Sequence, residues 1–184
     1  IEFAAEHTDQ LNLMTKTTGV DGAIIAAIAG IESNYGANMG QHLTLRVLVT
    51  LAFDYPRRSQ FFQRQLAEFF RLCFSQGLDP MLVKGSAAGA VGMGQFIPTS
   101  YRDFAVDGDG DDRIDLFHSK ADNIASIANY LARHKWQEGA PWLLVVDTEV
   151  DPIWVSKKAK RQGVELAEWQ RRGVTMPGSY DPEA

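Results

Sequence analysis

The sequence predicts a mainly α-helical protein: a helical core carrying one acidic loop, followed by a minor strand-containing C-terminal part. Three observations carry that prediction. Apolar side chains recur at helical spacing through the first two thirds of the chain, and Gly36, Gly77, Pro56 and Pro98 punctuate those stretches as start and stop signals. The best β-branched run without a helical period, WLLVVDT at 142–148, comes late. At 184 residues, 45% hydrophobic and 22% charged, the chain is long enough to close its own core and too apolar to be wholly disordered.

The elements follow in order. In VDGAIIAAIAGIESNYG, Asp21 is placed to cap a helix, Ile24, Ile28, Ile31 and Tyr35 share its spacing, and Gly36 ends it. A second helix is expected over 43–53. Pro56 suits the first turn of a third, which runs to about 76 and stops at Gly77. Its Phe61, Phe62, Leu66, Phe69, Phe70 and Phe74 make a broad aromatic face assigned to the core. Cys73 lies in the same run and reads as a small buried hydrophobe. The stretch KGSAAGAVGMGQ (84–95) suits either a close-packed helix or a loop where backbone approaches a ligand. Pro98 opens a short helix, and 121–134 forms another with Ile124, Ile127, Ala128 and Leu131 on one face. Beyond the strand at 142–148, helices are expected at 154–163 and 166–172, and the tail MPGSYDPEA has no period. The organisation predicted is a helical core at 1–140 and a small appendage at 141–184.

Several functions are excluded or disfavoured. The charge sum, 18 basic against 23 acidic residues, gives −5 and argues against nucleic acid as a partner. A single cysteine permits no intrachain disulfide and no multi-cysteine zinc site. No run of 18 apolar residues offers a membrane span. The opening IEFAAEHTDQ has neither Met nor signal sequence, and the expectation is that any export signal or lipid anchor lies outside this chain.

Three motifs carry chemistry. Glu32 stands at the end of an almost wholly apolar run, with Ile28 one turn back. Partial desolvation there would favour the protonated carboxyl that a general acid needs, the alternative being a helix-end glutamate reaching solvent. The loop DGDGDDRIDLFH puts Asp107, Asp109 and Asp111 at positions 1, 3 and 5 of an EF-hand calcium loop, the Arg113 carbonyl at 7 and Asp115 at 9. Position 6 is Asp112, which must take a left-handed turn that Asp tolerates, and position 12 is His118, not Glu; Asp122 offers the missing carboxylate. The third, GMGQFIP at 92–98, combines glycines that let backbone come near a bound chain with Gln95, which can donate to and accept from sugar groups.

Together these blocks resemble the lytic murein transglycosylase B family: IESNYG, TLAFDYPRRSQFF, LVKGSAAGAVGMGQFIPTSY, AVDGDGDDRIDL and IASIANYLARHKW keep its order over about 19–136. The resemblance implies a lysozyme-like helical core acting on peptidoglycan strands. It implies cleavage of the MurNAc-β-1,4-GlcNAc bond without water, leaving 1,6-anhydro-MurNAc ends. Glu32 would be the single acid and base, Ser86 and Gln95 would contact the sugar beside it, and Tyr130 would line the groove. Asp107, Asp109, Asp111, the Arg113 carbonyl and Asp122 would hold a structural Ca2+. It further implies the periplasm or envelope of a Gram-negative bacterium, with a lipid anchor outside this chain, and a truncated appendage at 141–184. A lysozyme-like hydrolase, a calcium-stabilised murein-binding module and an EF-hand interaction module stand as alternatives.

Overall fold

Each helix is held by a small, identifiable set of side chains. The computed structural model describes residues 2–140, 146 and 165–175, and the chain divides into two units, Ile1–Glu138 and Gly139–Ala184. In the first unit α1 (Glu2–Glu6) and α2 (Thr8–Thr18) bury only Phe3 and Leu11. Neither helix was expected, because one anchor per helix leaves no period to read. In α3 (Gly22–Ser33) the Asp21 carboxylate accepts the Ala23 N–H at 2.7 Å, which satisfies one of the free donors of the first turn. The buried face of α3 is Ile25, Ala26, Ala29 and Ser33; Ile31 is 82% exposed, so the spacing that grouped it with Ile24 and Ile28 followed the wrong side of an apolar run.

A two-residue antiparallel ladder follows, β1 (His42–Leu43) against β2 (Lys84–Gly85), with His42 opposite Gly85. Beside it Gly40, at φ 95°, crosses so close to Gly85 that any Cβ there would collide with the Gly85 main chain. α4 (Thr44–Phe53) packs on α5 (Ser59–Gln76), which a 3-10 turn at Pro56–Arg58 introduces and Gly77, at φ 64°, ends. Phe62, Phe69, Leu72 and Cys73 are buried, whereas Phe70 is 47% and Phe74 90% exposed. The aromatic face assigned to the core is therefore too wide: a helix turns about 100° per residue, and the two outer rings fall past its edge.

Residues 84–97 are loop rather than helix beyond β2. α6 (Pro98–Phe104) and α7 (Lys120–Arg133) flank the acidic loop. From Asp122 to Ala128 every residue of α7 is buried, because α7 packs against α2, α3 and α6. On α5 the buried Glu68 accepts from Arg71 (2.5 Å) and Arg102 (2.8 Å), tying α6 to α5. Gln65, 2% exposed, does the same, donating to the Thr99 hydroxyl and accepting the Thr99 N–H. In the second unit α8 (Leu166–Arg171) carries Glu168, which pairs with Arg171 and Arg172. The strand expected at 142–148, residue 146 apart, and the helix expected at 154–163 lie outside the described residues.

Candidate active site

The end of α3 is pinned on every side except one. Asn34 and Tyr35 both take left-handed backbone (φ 51° and 59°), and the N–H of Asn34 and of Tyr35 close back onto Gly30 and Ala29. The buried Ser33 hydroxyl donates to the Ala29 carbonyl and accepts the Gly36 N–H at 2.9 Å. The Tyr35 ring stacks on Phe3 at 4.8 Å and covers Gly30, where a Cβ would strike it. Glu32 is the exception. It is exposed, and its carboxylate has no hydrogen bond or ion pair among the described residues. Of the isoleucines in that run, Ile28 lines a hollow together with Glu32, while Ile31 is 82% exposed.

What Glu32 does face is a cleft. Two hollows meet at it, both lined by Glu32 and Gln95. One, about 380 Å³, has apolar walls: Ile28, Ile97, Ile127 and Leu131 beside Phe96 and Tyr130. The other, about 640 Å³, is polar and is lined by Asn38, Gln41, His42 and Ser86. The four sequence-predicted residues Glu32, Ser86, Gln95 and Tyr130 thus surround one cleft, although they come from 32 to 130 in the chain.

Each wall residue is oriented by its neighbours. Gln95 has a left-handed backbone (φ 51°), and its Nε2 donates to the carbonyls of Gly92 (3.0 Å) and Met39 (3.2 Å), which leaves its Oε1 to face a ligand. The Ser86 Oγ accepts the N–H groups of Ala88 and Ala90, which leaves its own proton to donate. Tyr130 meets Phe96 and Phe104 edge-on and stacks on His134 at 4.1 Å, so an aromatic plate closes the apolar hollow. Asn38, Gln41 and His42 carried no signal in the sequence, since the first two lie on an irregular loop with no motif and His42 opens a strand only two residues long.

The acidic loop lies apart from the cleft lining. Carboxylate oxygens of Asp107, Asp109 and Asp122 come within 4.8 Å of one another. That is the span of ligands at 2.3–2.6 Å on opposite sides of one Ca2+, so the donor set fits that ion. Asp112 takes φ 66°, the left-handed turn required at that place. Asp107 accepts N–H bonds from Gly110, Asp112 and Asp109, which hold its carboxyl below the usual carboxylate range. Asp111 turns instead to the Arg113 N–H (2.9 Å) and is not in the cluster; His118 pairs with Asp115. Asp122, 1% exposed, accepts from Gly108 (2.8 Å) and Asp115 (2.6 Å) N–H groups and so bolts the loop to the first turn of α7.

Comparison with known proteins agrees with this architecture. The chain is 41% identical over 139 residues to membrane-bound lytic murein transglycosylase B of Escherichia coli K12, covering 76% of this chain and 38% of that protein. It superposes on the Escherichia coli lytic transglycosylase Slt35, solved with bulgecin A, at TM-score 0.83 and 33% identity, covering 95% of this chain and 54% of that one. The Slt35 structure with calcium gives 0.81, at 33% identity over 95% and 55% of the two chains. SltB3 of Pseudomonas aeruginosa, solved with NAG-anhNAM-pentapeptide, gives 0.79 at 35% identity over 97% and 48%. The chain therefore spans from 38% to 55% of these relatives' length. A family model described as the transglycosylase SLT domain matches residues 1–184, and the chain belongs to that family.

Proposed function

We propose that this chain is the catalytic part of a lytic murein transglycosylase that cleaves the MurNAc-β-1,4-GlcNAc bond of peptidoglycan strands, with Glu32 as its single acid and base. The observation that carries the reading is a carboxylate left without a partner, on a rigidly pinned helix end, where an apolar and a polar hollow meet. A sugar chain laid through the cleft would stack a ring face against the Tyr130 side and offer hydroxyl and acetamido groups to Ser86 and Gln95. It would also displace water from Glu32, which the protein alone does not do.

In the first step Glu32 gives its proton to the glycosidic oxygen as the C1–O4 bond breaks and the GlcNAc side leaves as an alcohol. In the second, the muramoyl 6-hydroxyl attacks C1, the C1–O6 bond forms, and that hydroxyl's proton returns to Glu32. No water is consumed, so one carboxyl serves where hydrolytic glycosidases use two. The SltB3 complex with an anhNAM-containing peptide supports the same product for this chain.

Asp107, Asp109 and Asp122 would hold a structural Ca2+ between α6 and α7, with the Arg113 carbonyl and, once it releases the Arg113 N–H, Asp111 completing the set; the calcium complex of Slt35 supports a site of this kind. The ion would offset the mutual repulsion of the carboxylates and take no part in the reaction. The membrane-bound relative supports a place in the cell envelope, and among the described residues no helix is long and apolar enough to cross a membrane.

The test is mass spectrometry of fragments released from purified sacculi, with Glu32→Gln as control. Anhydro ends, one water lighter than reducing ends, are the expected product. Reducing ends alone would make the protein a hydrolase, and binding without release would make it a murein-binding module.

A further inference from the structure

Asn123 is 1% exposed, and its amide is committed on both ends. Its Nδ2 donates to the carbonyls of Leu116 (3.0 Å) and Ser119 (2.7 Å), and its Oδ1 accepts the Gly94 N–H at 3.2 Å. Carbonyls can only accept and the Gly94 N–H can only donate, so these partners fix which end of the amide is which. An asparagine that merely had to be satisfied inside a buried helix would close on Ser119, four residues back. This one also reaches 29 residues back, to the loop that lines the cleft.

The loop it reaches is under constraint. Gln95, the next residue, is held at φ 51°, a conformation a non-glycine keeps only where its surroundings impose it. On one side the surroundings are the two carbonyls that its own side chain binds; on the other they are Asn123 and the Leu116 carbonyl, which also accepts the Met93 N–H at 3.3 Å. Gly92 sits directly against that same Leu116 carbonyl. We infer that Asn123 is a positioning residue: by holding the Gly94 N–H it sets the Met93–Gly94 peptide, and thereby the backbone that presents the Gln95 carboxamide, which shares both hollows with Glu32. The inference rests on the glycan-cleaving reading above, in that it needs Gln95 to touch the sugar.

The experiment is a double-mutant cycle of Asn123→Ala with Gln95→Ala, read as kcat/KM on soluble glycan strands beside melting temperature. Asn123→Ala alone is expected to lower kcat/KM about tenfold, as misplacing a substrate-contacting group does. In the Gln95→Ala background it should cost no more than about twofold, because the residue it positions is gone. A full tenfold loss in both backgrounds, or a lower melting temperature with unchanged kcat/KM, overturns the inference. Asn123→Asp is the second variant, since it keeps the oxygen that accepts from Gly94 and loses the two donors. It should melt earlier yet keep kcat/KM within about threefold of wild type, whereas a folded Asn123→Asp as slow as Gln95→Ala sinks the inference. If wild type releases no glycan fragments, the functional reading has failed, and the cycle read as affinities for an N-acetylglucosamine tetramer then decides the role of Asn123.

Discussion

Two glutamates on two helices of this chain have opposite fates. Glu68 on α5 is 8% exposed and accepts from two arginines, so its charge is spent on holding α6. Glu32 on α3 is exposed and has no partner for its charge among the described residues. Burial alone would have picked Glu68 as the candidate acid. The mark of the candidate acid is a carboxyl without a partner among the described residues, set on a helix end closed by hydrogen bonds, whereas the mark of a structural acid is a full set of donors. Asp122 falls on the structural side, with both oxygens taken by backbone N–H groups.

That contrast fails or sharpens under four measurements. The largest effect belongs to Glu32→Gln, which keeps the shape and removes the proton: kcat on sacculi should fall by roughly 10²–10⁴-fold, the usual worth of a general acid, with an unchanged melting temperature. A variant that loses stability instead would put Glu32 on the structural side. Next, Ca2+ at about a hundredfold excess over its dissociation constant should stabilise the fold by about 2.7 kcal/mol, and a melting curve indifferent to chelator would remove Asp122 and its neighbours from metal binding. Third, Glu68→Gln should cost about 2 kcal/mol, the price of a charge-assisted pair of hydrogen bonds, and leave kcat untouched. In a domain of this size that is a fall in melting temperature of about 4–8 °C by calorimetry.

The smallest effect is absent at neutral pH. Burial pushes the Cys73 thiol from 9.0 to about 11 and the Tyr101 hydroxyl from 10.0 to about 12. Both groups are held neutral in the fold, so their contribution is intact below pH 9 and is lost as pH climbs through 11 and 12. Melting temperature should therefore decline over that alkaline window, and Ellman's reagent should leave the native thiol untouched at pH 8. Rapid labelling there would show that the α5 core is open.

The sequence revealed elements in proportion to how many side chains each one buries. α3 and α7 have caps and apolar periods, and both were legible. α1 and α2 hang on Phe3 and Leu11, one residue each, and the β1–β2 ladder is too short to alternate. Glu32 was legible as an acid after an apolar run, but which apolar neighbours it keeps was not: helical geometry turned Ile31 to solvent and left the exposed carboxylate sharing a hollow with Ile28. Gln95 was legible as a polar residue among glycines. Asn123 and Gln65, which hold the cleft loop and α6 from behind, read as ordinary polar residues, because contacts across 29 and 34 residues have no local signature.

Where Gly40 passes over Gly85, one wall of the polar hollow is bare main chain with no room for even a methyl group. That wall cannot be retuned by mutation, since any substituent on Gly40 would have to push the Gly85–Ser86 main chain away. Changes of preference among related chains can then accumulate at other lining positions, such as Asn38, Gln41, His42 and Ala87. Libraries meant to alter which sugar decoration is accepted belong at those four positions.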